Sequence, residues 1–207
     1  MPRSRRPAPA TEPSAAAPPR IIGGALRGRR LPFVPDPRTR PMKDRVRETL
    51  FDLLGPAIRG SVAIDLFAGS GALAFEALSR GAARAVLVER HFPTADRLRE
   101  AARELGVEDR AEVRAGDALV WSRRLPADLP RDAPWLVFVS PPWALFAERP
   151  ADLVALVAGL LGEAPAGSTI VVESDARFDP AALPEAGRWR SRAVPPAVLH
   201  ILPGLVS

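Results

Sequence analysis

Two stretches of the chain carry residues that could do chemistry together. In Asp65-Leu66-Phe67-Ala68-Gly69-Ser70-Gly71-Ala72-Leu73-Ala74, a carboxylate stands four residues before a G-x-G-x-x-A turn. Such glycines let the chain turn sharply and let a ligand approach the backbone closely. A pyrophosphate would be repelled by Asp65, whereas a ligand with a cationic amino group would be attracted. S-adenosylmethionine offers an ammonium for Asp65 and a carboxylate for the N–H groups opening the next helix. Glu89, 20 residues past Gly69, is placed to accept hydrogen bonds from a ribose diol. Asp117, at another strand end, could accept from an adenine amino group. Phe67, Ser70, Arg90 and Ala118 flank these positions and complete the expected cofactor set. The second stretch is Ser140-Pro141-Pro142-Trp143. Two prolines stiffen the chain and remove N–H donors, which frees the carbonyls of Ser140 and Pro141 as acceptors. With Trp143 as a stacking face, this is apparatus for holding a planar amine.

The elements that must position these residues follow from local pattern. Val62 to Phe67 is a short apolar run and reads as a buried strand; Ala72 to Ser79 reads as the helix after it. Further strands are expected at 83–88, 112–114, 136–139 and 168–172, the last ending at Glu173. Helices are expected at 91–105, 118–124 and 151–161. Strands at 189–193 and 198–202 would close the sheet in antiparallel fashion. The alternation of strand and helix predicts an α/β, Rossmann-like fold with a seven-stranded, mostly parallel sheet; together with the S-adenosylmethionine reading of Asp65 and the glycine turn, a class I methyltransferase fold is expected. Ser140, Asp65, Glu89 and Asp117 then all fall at the carboxyl ends of strands, where open α/β sheets bind ligands.

Charge divides the chain unevenly. Residues 1–47 hold twelve Lys or Arg against three acids (Glu12, Asp36, Asp44), a net +9, so the other 160 residues sum to −4 within the total of +5. Lys43 is the only lysine, and arginine suits bidentate phosphate contacts and stacking on bases. Residues 1–19 are Pro, Ala, Ser and Arg and are expected to be a disordered basic tail. Arg20 to Phe33 reads as a β-hairpin or paired extended strands. Arg27, Arg29 and Arg30 project from it as a nucleic-acid grip or as ordinary solvated charges. After a loop, Met42 or Lys43 starts a helix to Leu54. Its charged first turn, with Arg40, Lys43 and Arg45, is expected to line a site. The chain has no Cys, which excludes disulfides, thiolate metal sites and a Cys nucleophile. His91 and His200 have no neighbour in sequence that would make a metal site or a catalytic base. No apolar run is long enough to span a bilayer, so a soluble cytoplasmic protein is expected.

These pieces, in this order, resemble the RsmD family, bacterial methyltransferases acting on N2 of a guanine in small-subunit (16S) ribosomal RNA. The likeness runs from about Arg20 to the end. It is strongest in Arg20-Ile21-Ile22-Gly23-Gly24, in Asp44-Arg45-Val46-Arg47-Glu48-Thr49-Leu50-Phe51, and in Asp65 to Gly71. It implies a catalytic domain over 20–207 with residues 20–41 as an RNA-binding extension. It also implies 16S rRNA or the assembling small subunit as partner, and a monomer. The segment from Arg40 to Arg45 would cover the cofactor or hold RNA. Ser140 and Trp143 stand where the family usually has Asp and Phe or Tyr, and Met42-Lys43 where Thr-Thr is common. Ser-Pro-Pro-Trp looks like the motif of the trimethylguanosine cap synthases, which also methylate guanine N2. Two rivals stay open: an adenine-N6 methyltransferase on DNA or RNA, and a methyltransferase-like fold that only binds RNA. A nicotinamide-dependent oxidoreductase would need a substrate domain, and Asp65 and Pro141-Pro142 argue against it.

Overall fold

β1 (Val62–Asp65) is the strand from which the sheet grows in both directions. With β2 (Arg84–Glu89), β3 (Ala111–Ala115), β4 (Trp135–Val139), β5 (Thr169–Asp175), β6 (Arg190–Val194) and β7 (Ala197–Leu202) it forms one seven-stranded sheet, in the order β3-β2-β1-β4-β5-β7-β6. β1 to β5 run parallel, and β7 inserts antiparallel between β5 and β6. The computed structural model describes residues 18–32 and 42–205. Residues 1–17 of the expected disordered tail and Arg40 lie outside those residues, whereas Pro19 is described and its carbonyl accepts from Leu31 N.

Every residue of β1 and β4 is buried, as expected of parallel strands covered on both faces. Side chains alternate between those faces. Ala63, Leu87, Leu136, Phe138 and Val171 pack with α1 (Asp44–Leu54), α2 (Ala72–Ser79) and α3 (Phe92–Leu105). Ile64, Val86, Val137 and Ile170 pack on the other side with α5 (Pro150–Glu163). A one-turn α4 (Leu145–Glu148) precedes α5. The sheet ends in β3 on one side and β6 on the other. β6 carries exposed Arg190, Ser191 and Arg192, and β3 carries Glu112 and Arg114.

Three local expectations are corrected. The N-terminal hairpin reduces to one antiparallel bridge, Arg20↔Arg30, around a series of turns. Its backbone groups divide: Ile21 N, Gly28 N and Leu31 N donate across the segment to the Arg29, Ile21 and Pro19 carbonyls, while the donors of Ile22, Gly23, Ala25 and Leu26 go to α2. Ala25 N donates to the Ser79 carbonyl at 2.8 Å, and Leu26 N to Ser79 Oγ at 2.9 Å. Ile22 N and Gly23 N donate to the two oxygens of Glu76 at 2.7 and 2.8 Å. Gly24 adopts φ +77°, and a Cβ there would stand 1.9 Å from the Ser79 oxygen. Ile21 and Leu31 are consequently buried against the main core.

The helix expected over 118–124 is a 3-10 turn, Ala118–Ser122, which Asp117 caps by accepting from Leu119 N at 2.9 Å. The first strand stops at Asp65, because Leu66 and Phe67 already turn toward the glycines. α1 runs nearly as expected, but its charges divide. Arg45 and Glu48 are exposed, while the Arg47 side chain is wholly buried beside Glu76. No helix among the described residues is long and apolar enough to cross a membrane.

Candidate active site

The carboxyl ends of the parallel strands open into a cleft of about 560 Å³. Alternation decides what reaches it. Asp65 is two residues past Ala63, Glu89 two past Leu87, and Glu173 two past Val171, so all three acids share the face of α1 to α3. In the β4–β5 register Val139 faces Val172, so the next pair along is Ser140 and Glu173. Asp65, Glu89, Ser140 and Glu173 all line the cleft.

Asp65 is the least satisfied of them. It is 1% exposed, and its Oδ1 has no hydrogen-bond partner. Burial raises its pKa to about 7; the nearby negative charges of Glu89 and Glu173 add to this, against opposing hydrogen bonds from the backbone of Phe67 and Ala74. An orphaned buried carboxylate oxygen needs an explanation, and a cationic group entering the cleft supplies one.

Glu89 fixes the glycine turn. Its Oε2 accepts from Gly69 N at 2.9 Å and its Oε1 from His91 N at 2.8 Å. The remaining lone pairs of that carboxylate are what a ribose diol would use. Asp117 spends Oδ1 on its cap, and its Oδ2 lies 3.8 Å from Arg149 Nη1. Phe67, Gly69, Ser70, Arg90, Asp117 and Ala118 line the cleft. Gly71 does not. A Cβ at Gly71, where φ is +73°, would meet Phe75 Cε2 at 2.5 Å and Leu98 Cδ2 at 2.7 Å. That glycine serves the packing of α2 against α3 and the sheet.

On the other side of the cleft, Pro141, Pro142 and Trp143 follow β4. The carbonyls of Pro142 and Trp143 accept from Leu145 N and Phe146 N and start α4. The carbonyls of Ser140 and Pro141 accept no backbone N–H among the described residues. Ser140 Oγ is hydrogen-bonded to Glu173 Oε2. Burial raises the Glu173 pKa, against the opposing Ser140 hydrogen bond. Glu173 is the residue that sequence reasoning missed. The signal was available, since it ends an apolar parallel strand just as Asp65 and Glu89 do.

At the mouth, Met42, Lys43 and Val46 bring the start of α1 to the cleft, while Arg45 stays outside it. Arg27, Arg29 and Arg30 are exposed away from the cleft lining. Arg29 is partly committed: its Nη2 donates to the Glu104 carbonyl at 2.5 Å, at the end of α3. His91 also lines the cleft, with Nδ1 2.9 Å from Thr94 Oγ1. His200 is buried between Ser174 and Ser191 hydroxyls, and burial lowers its pKa.

A sheet of this order, with an acid-ended first strand, a glycine turn and an open cleft above β1 and β4, is the class I methyltransferase fold. Solved structures agree. A putative methyltransferase from Escherichia coli superposes with a TM-score of 0.72 at 32% identity, covering 92% of this chain and 100% of that one. An RNA methyltransferase from Salinibacter ruber, in complex with S-adenosyl-L-homocysteine, shares the fold with a TM-score of 0.55 at 23% identity, over 81% of this chain and 97% of that one. The family model described as conserved hypothetical protein 95 matches residues 19–194, and the chain belongs to that family, RsmD. Among curated relatives, the ribosomal RNA small subunit methyltransferase D of Escherichia coli strain K12 is 44% identical over 126 residues. That stretch spans 60% of this chain and 60% of the relative.

Proposed function

We propose that this chain is an S-adenosylmethionine-dependent methyltransferase acting on the exocyclic N2 of a guanine in small-subunit ribosomal RNA. The observation that carries the reading is the cleft itself. A buried carboxylate with an oxygen that has no partner among the described residues stands on one side, and two carbonyls that accept no backbone N–H among those residues stand beside Trp143 on the other. The names of the relatives supply the RNA class. Residues 20–207 act as one catalytic unit, working as a monomer on rRNA or an assembling subunit in the cytoplasm.

The residues present fit the cofactor. Asp65 would take its ammonium, Glu89 its ribose hydroxyls, and Asp117 its adenine amino group. Bound there, it supplies an electrophilic methyl group on a sulfonium. The protein's own work is orientation. The Ser140 and Pro141 carbonyls accept from the target amine and aim its lone pair into the cofactor half of the cleft. The flat face of Trp143 sets the plane of the base. Positioning of this kind supplies much of the rate in a transfer between two bound groups.

The test is single-turnover methyl transfer from saturating cofactor to small-subunit rRNA, followed by nucleoside identification. N2-methylguanosine is expected; N6-methyladenosine or no product refutes the reading. Trp143→Ala should slow transfer about 10- to 100-fold, the worth of one stacked base, with cofactor affinity by titration calorimetry unchanged.

RNA affinity gives a second check. Replacing Arg27, Arg29 and Arg30 together by Gln should reduce the slope of log affinity against log salt by about 2. A reduction near 3 is not expected, because Arg29 is already engaged with the end of α3. An unchanged slope would return these arginines to ordinary solvated charges.

A further inference from the structure

Of the four acids that line the cleft at the carboxyl ends of the strands, Asp65, Glu89 and Asp117 are accounted for by the cofactor assignment. Glu173 is not. It lies on β5, separated from β1 by β4, and so belongs to the acceptor half of the cleft with Ser140, Pro141 and Trp143. It is 8% exposed, yet it lines the cleft.

Its one side-chain partner among the described residues is Ser140 Oγ, which bonds Oε2. A serine hydroxyl has a single hydrogen, so this contact spends it. The hydroxyl can then only accept from a ligand. Glu173 Oε1 has no partner among the described residues and is not sealed from the cleft. A carboxylate keeps roughly four acceptor sites in all, so Oε2 retains capacity too.

The acceptor half therefore presents a carboxylate, two carbonyls and a spent hydroxyl. All are acceptors. A base bound there must offer adjacent N–H groups along one edge. Guanine does, with N1–H beside N2–H₂, two donors side by side for the two oxygens of one carboxylate. Adenine sets its N6–H₂ beside the N1 lone pair, and cytosine its N4–H₂ beside the N3 lone pair. Either would turn a lone pair toward a carboxylate oxygen, leaving both unpaired in a dry pocket. Sites built on hydrogen bonds reject such analogues strongly.

Resting on the methyltransferase reading above, we propose that Glu173 is the residue that selects guanine. Its carboxylate accepts from N1–H and from the N2–H on the N1 side, leaving the other N2–H to the Ser140 and Pro141 carbonyls, and Ser140 holds that carboxylate in place. Ser140 is then a positioning residue. The carboxylate absent from the Ser-Pro-Pro-Trp motif is supplied by the neighbouring strand, through the β4–β5 register.

The experiment compares the parent with Glu173→Gln, Ser140→Ala and the double variant, using single-turnover transfer to small-subunit rRNA at saturating cofactor. Calorimetry with S-adenosylmethionine alone is run on each protein. Glu173→Gln should lower kcat/KM for N2-methylguanosine formation about 10- to 100-fold, the range for a lost charge-assisted hydrogen bond. Its amide N–H would also face a donor. Cofactor affinity should stay within about twofold of the parent, which shows the fold and the cofactor half intact. Ser140→Ala should cost only a few-fold. The double variant should be no slower than Glu173→Gln, because the hydroxyl acts through the carboxylate.

If the parent makes N2-methylguanosine and Glu173→Gln makes it at the parental rate, the proposal is overturned while the methyltransferase reading stands. The same holds if Ser140→Ala and Glu173→Gln losses multiply in the double variant. If the parent itself makes no N2-methylguanosine, the underlying reading has failed, and calorimetry will already have shown whether the cofactor binds. A Glu173→Gln protein that loses cofactor binding too would also refute the assignment, because Glu173 would then belong to the cofactor half.

Discussion

Asp65→Asn is expected to make the ligand-free protein more stable at pH 8 while sharply lowering its affinity for S-adenosylmethionine. The carboxylate of Asp65 is raised in the folded protein to about 7 from 3.8, chiefly by burial. The sign follows directly. Below about pH 4 the group is protonated in folded and unfolded chains alike and costs nothing. As pH rises toward 7 the unfolded chain ionises and the folded one resists, so stability falls. Above pH 7 the whole cost is present, on the order of 4 kcal/mol from a shift of this size. An amide of the same shape carries none of it. Part of the gain is returned because the new N–H₂ occupies the place of the unpartnered Oδ1, so a net gain of about 2–3 kcal/mol is expected.

That gain should shrink to nothing near pH 4, which separates a charge effect from a packing effect. Cofactor affinity should fall by about 100-fold or more, since both the ionic attraction and an acceptor are lost. In the parent, affinity should weaken as pH drops below 7, because the cofactor must displace a proton from Asp65. Denaturant melts at pH 4.5 and 8, with calorimetry at pH 8, check all of this. A variant less stable than the parent at pH 8 would mean that Asp65 is compensated in the free protein.

Glu76→Ala is expected to cost about 3–5 kcal/mol and to release the N-terminal segment. Glu76 is wholly buried in the middle of α2. It accepts from Ile22 N, from Gly23 N and from Arg80 Nε, the last at 2.8 Å, and it lies 3.8 Å from Nε of the buried Arg47. Arg47 already has Nε and Nη1 without hydrogen-bond partners, and burial lowers its pKa against the pull of Asp44 and Glu76. Deleting Glu76 leaves that guanidinium with Asp44 as its remaining acid, and the loss of one member of a buried pair falls in this range. Ile21 and Leu31 lose the anchor that holds them to the core. Urea midpoints measure the first effect. Faster tryptic cleavage after Arg27 and Arg29 measures the second. A parental midpoint with parental cleavage would show that Glu76 anchors nothing.

What the sequence disclosed and what it hid divide along sequence separation. Asp65, the glycine turn and the Ser-Pro-Pro-Trp turn are legible because strand, turn and chemistry are consecutive. The mostly parallel sheet follows from the alternation of helices and strands, since parallel connections have few choices; its order appears only in the fold. Glu76 was hidden. Within its helix it is one acid among alanines and leucines, and its partners stand 53 and 54 positions away on the N-terminal segment. The N-terminal hairpin is reduced to a bridge for the same reason, because four donors in its middle, on Ile22, Gly23, Ala25 and Leu26, go to α2. Arg47, inside a charged helix, carries no local signal of burial, and only the docking of α1 beside Glu76 turns it inward. Glu173 carried the right local signal, yet its meaning depends on Ser140, 33 positions earlier. Gly71 had a legible conformation with an illegible cause, because Leu98, against which a side chain at that position would press, is a helix further on.

The two flanks of the sheet have a consequence for the protein in concentrated solution. An open sheet with bare edge strands is a template for further strands from other copies. Here the outermost strands are β3, with Glu112 and Arg114 on it, and β6, with Arg190, Ser191 and Arg192 exposed. A second copy docking edge to edge on β6 would set Arg190 and Arg192 against their own kind, and like charges directly opposite one another on paired strands are destabilising. Growth of the sheet from molecule to molecule is thereby discouraged at the β6 edge.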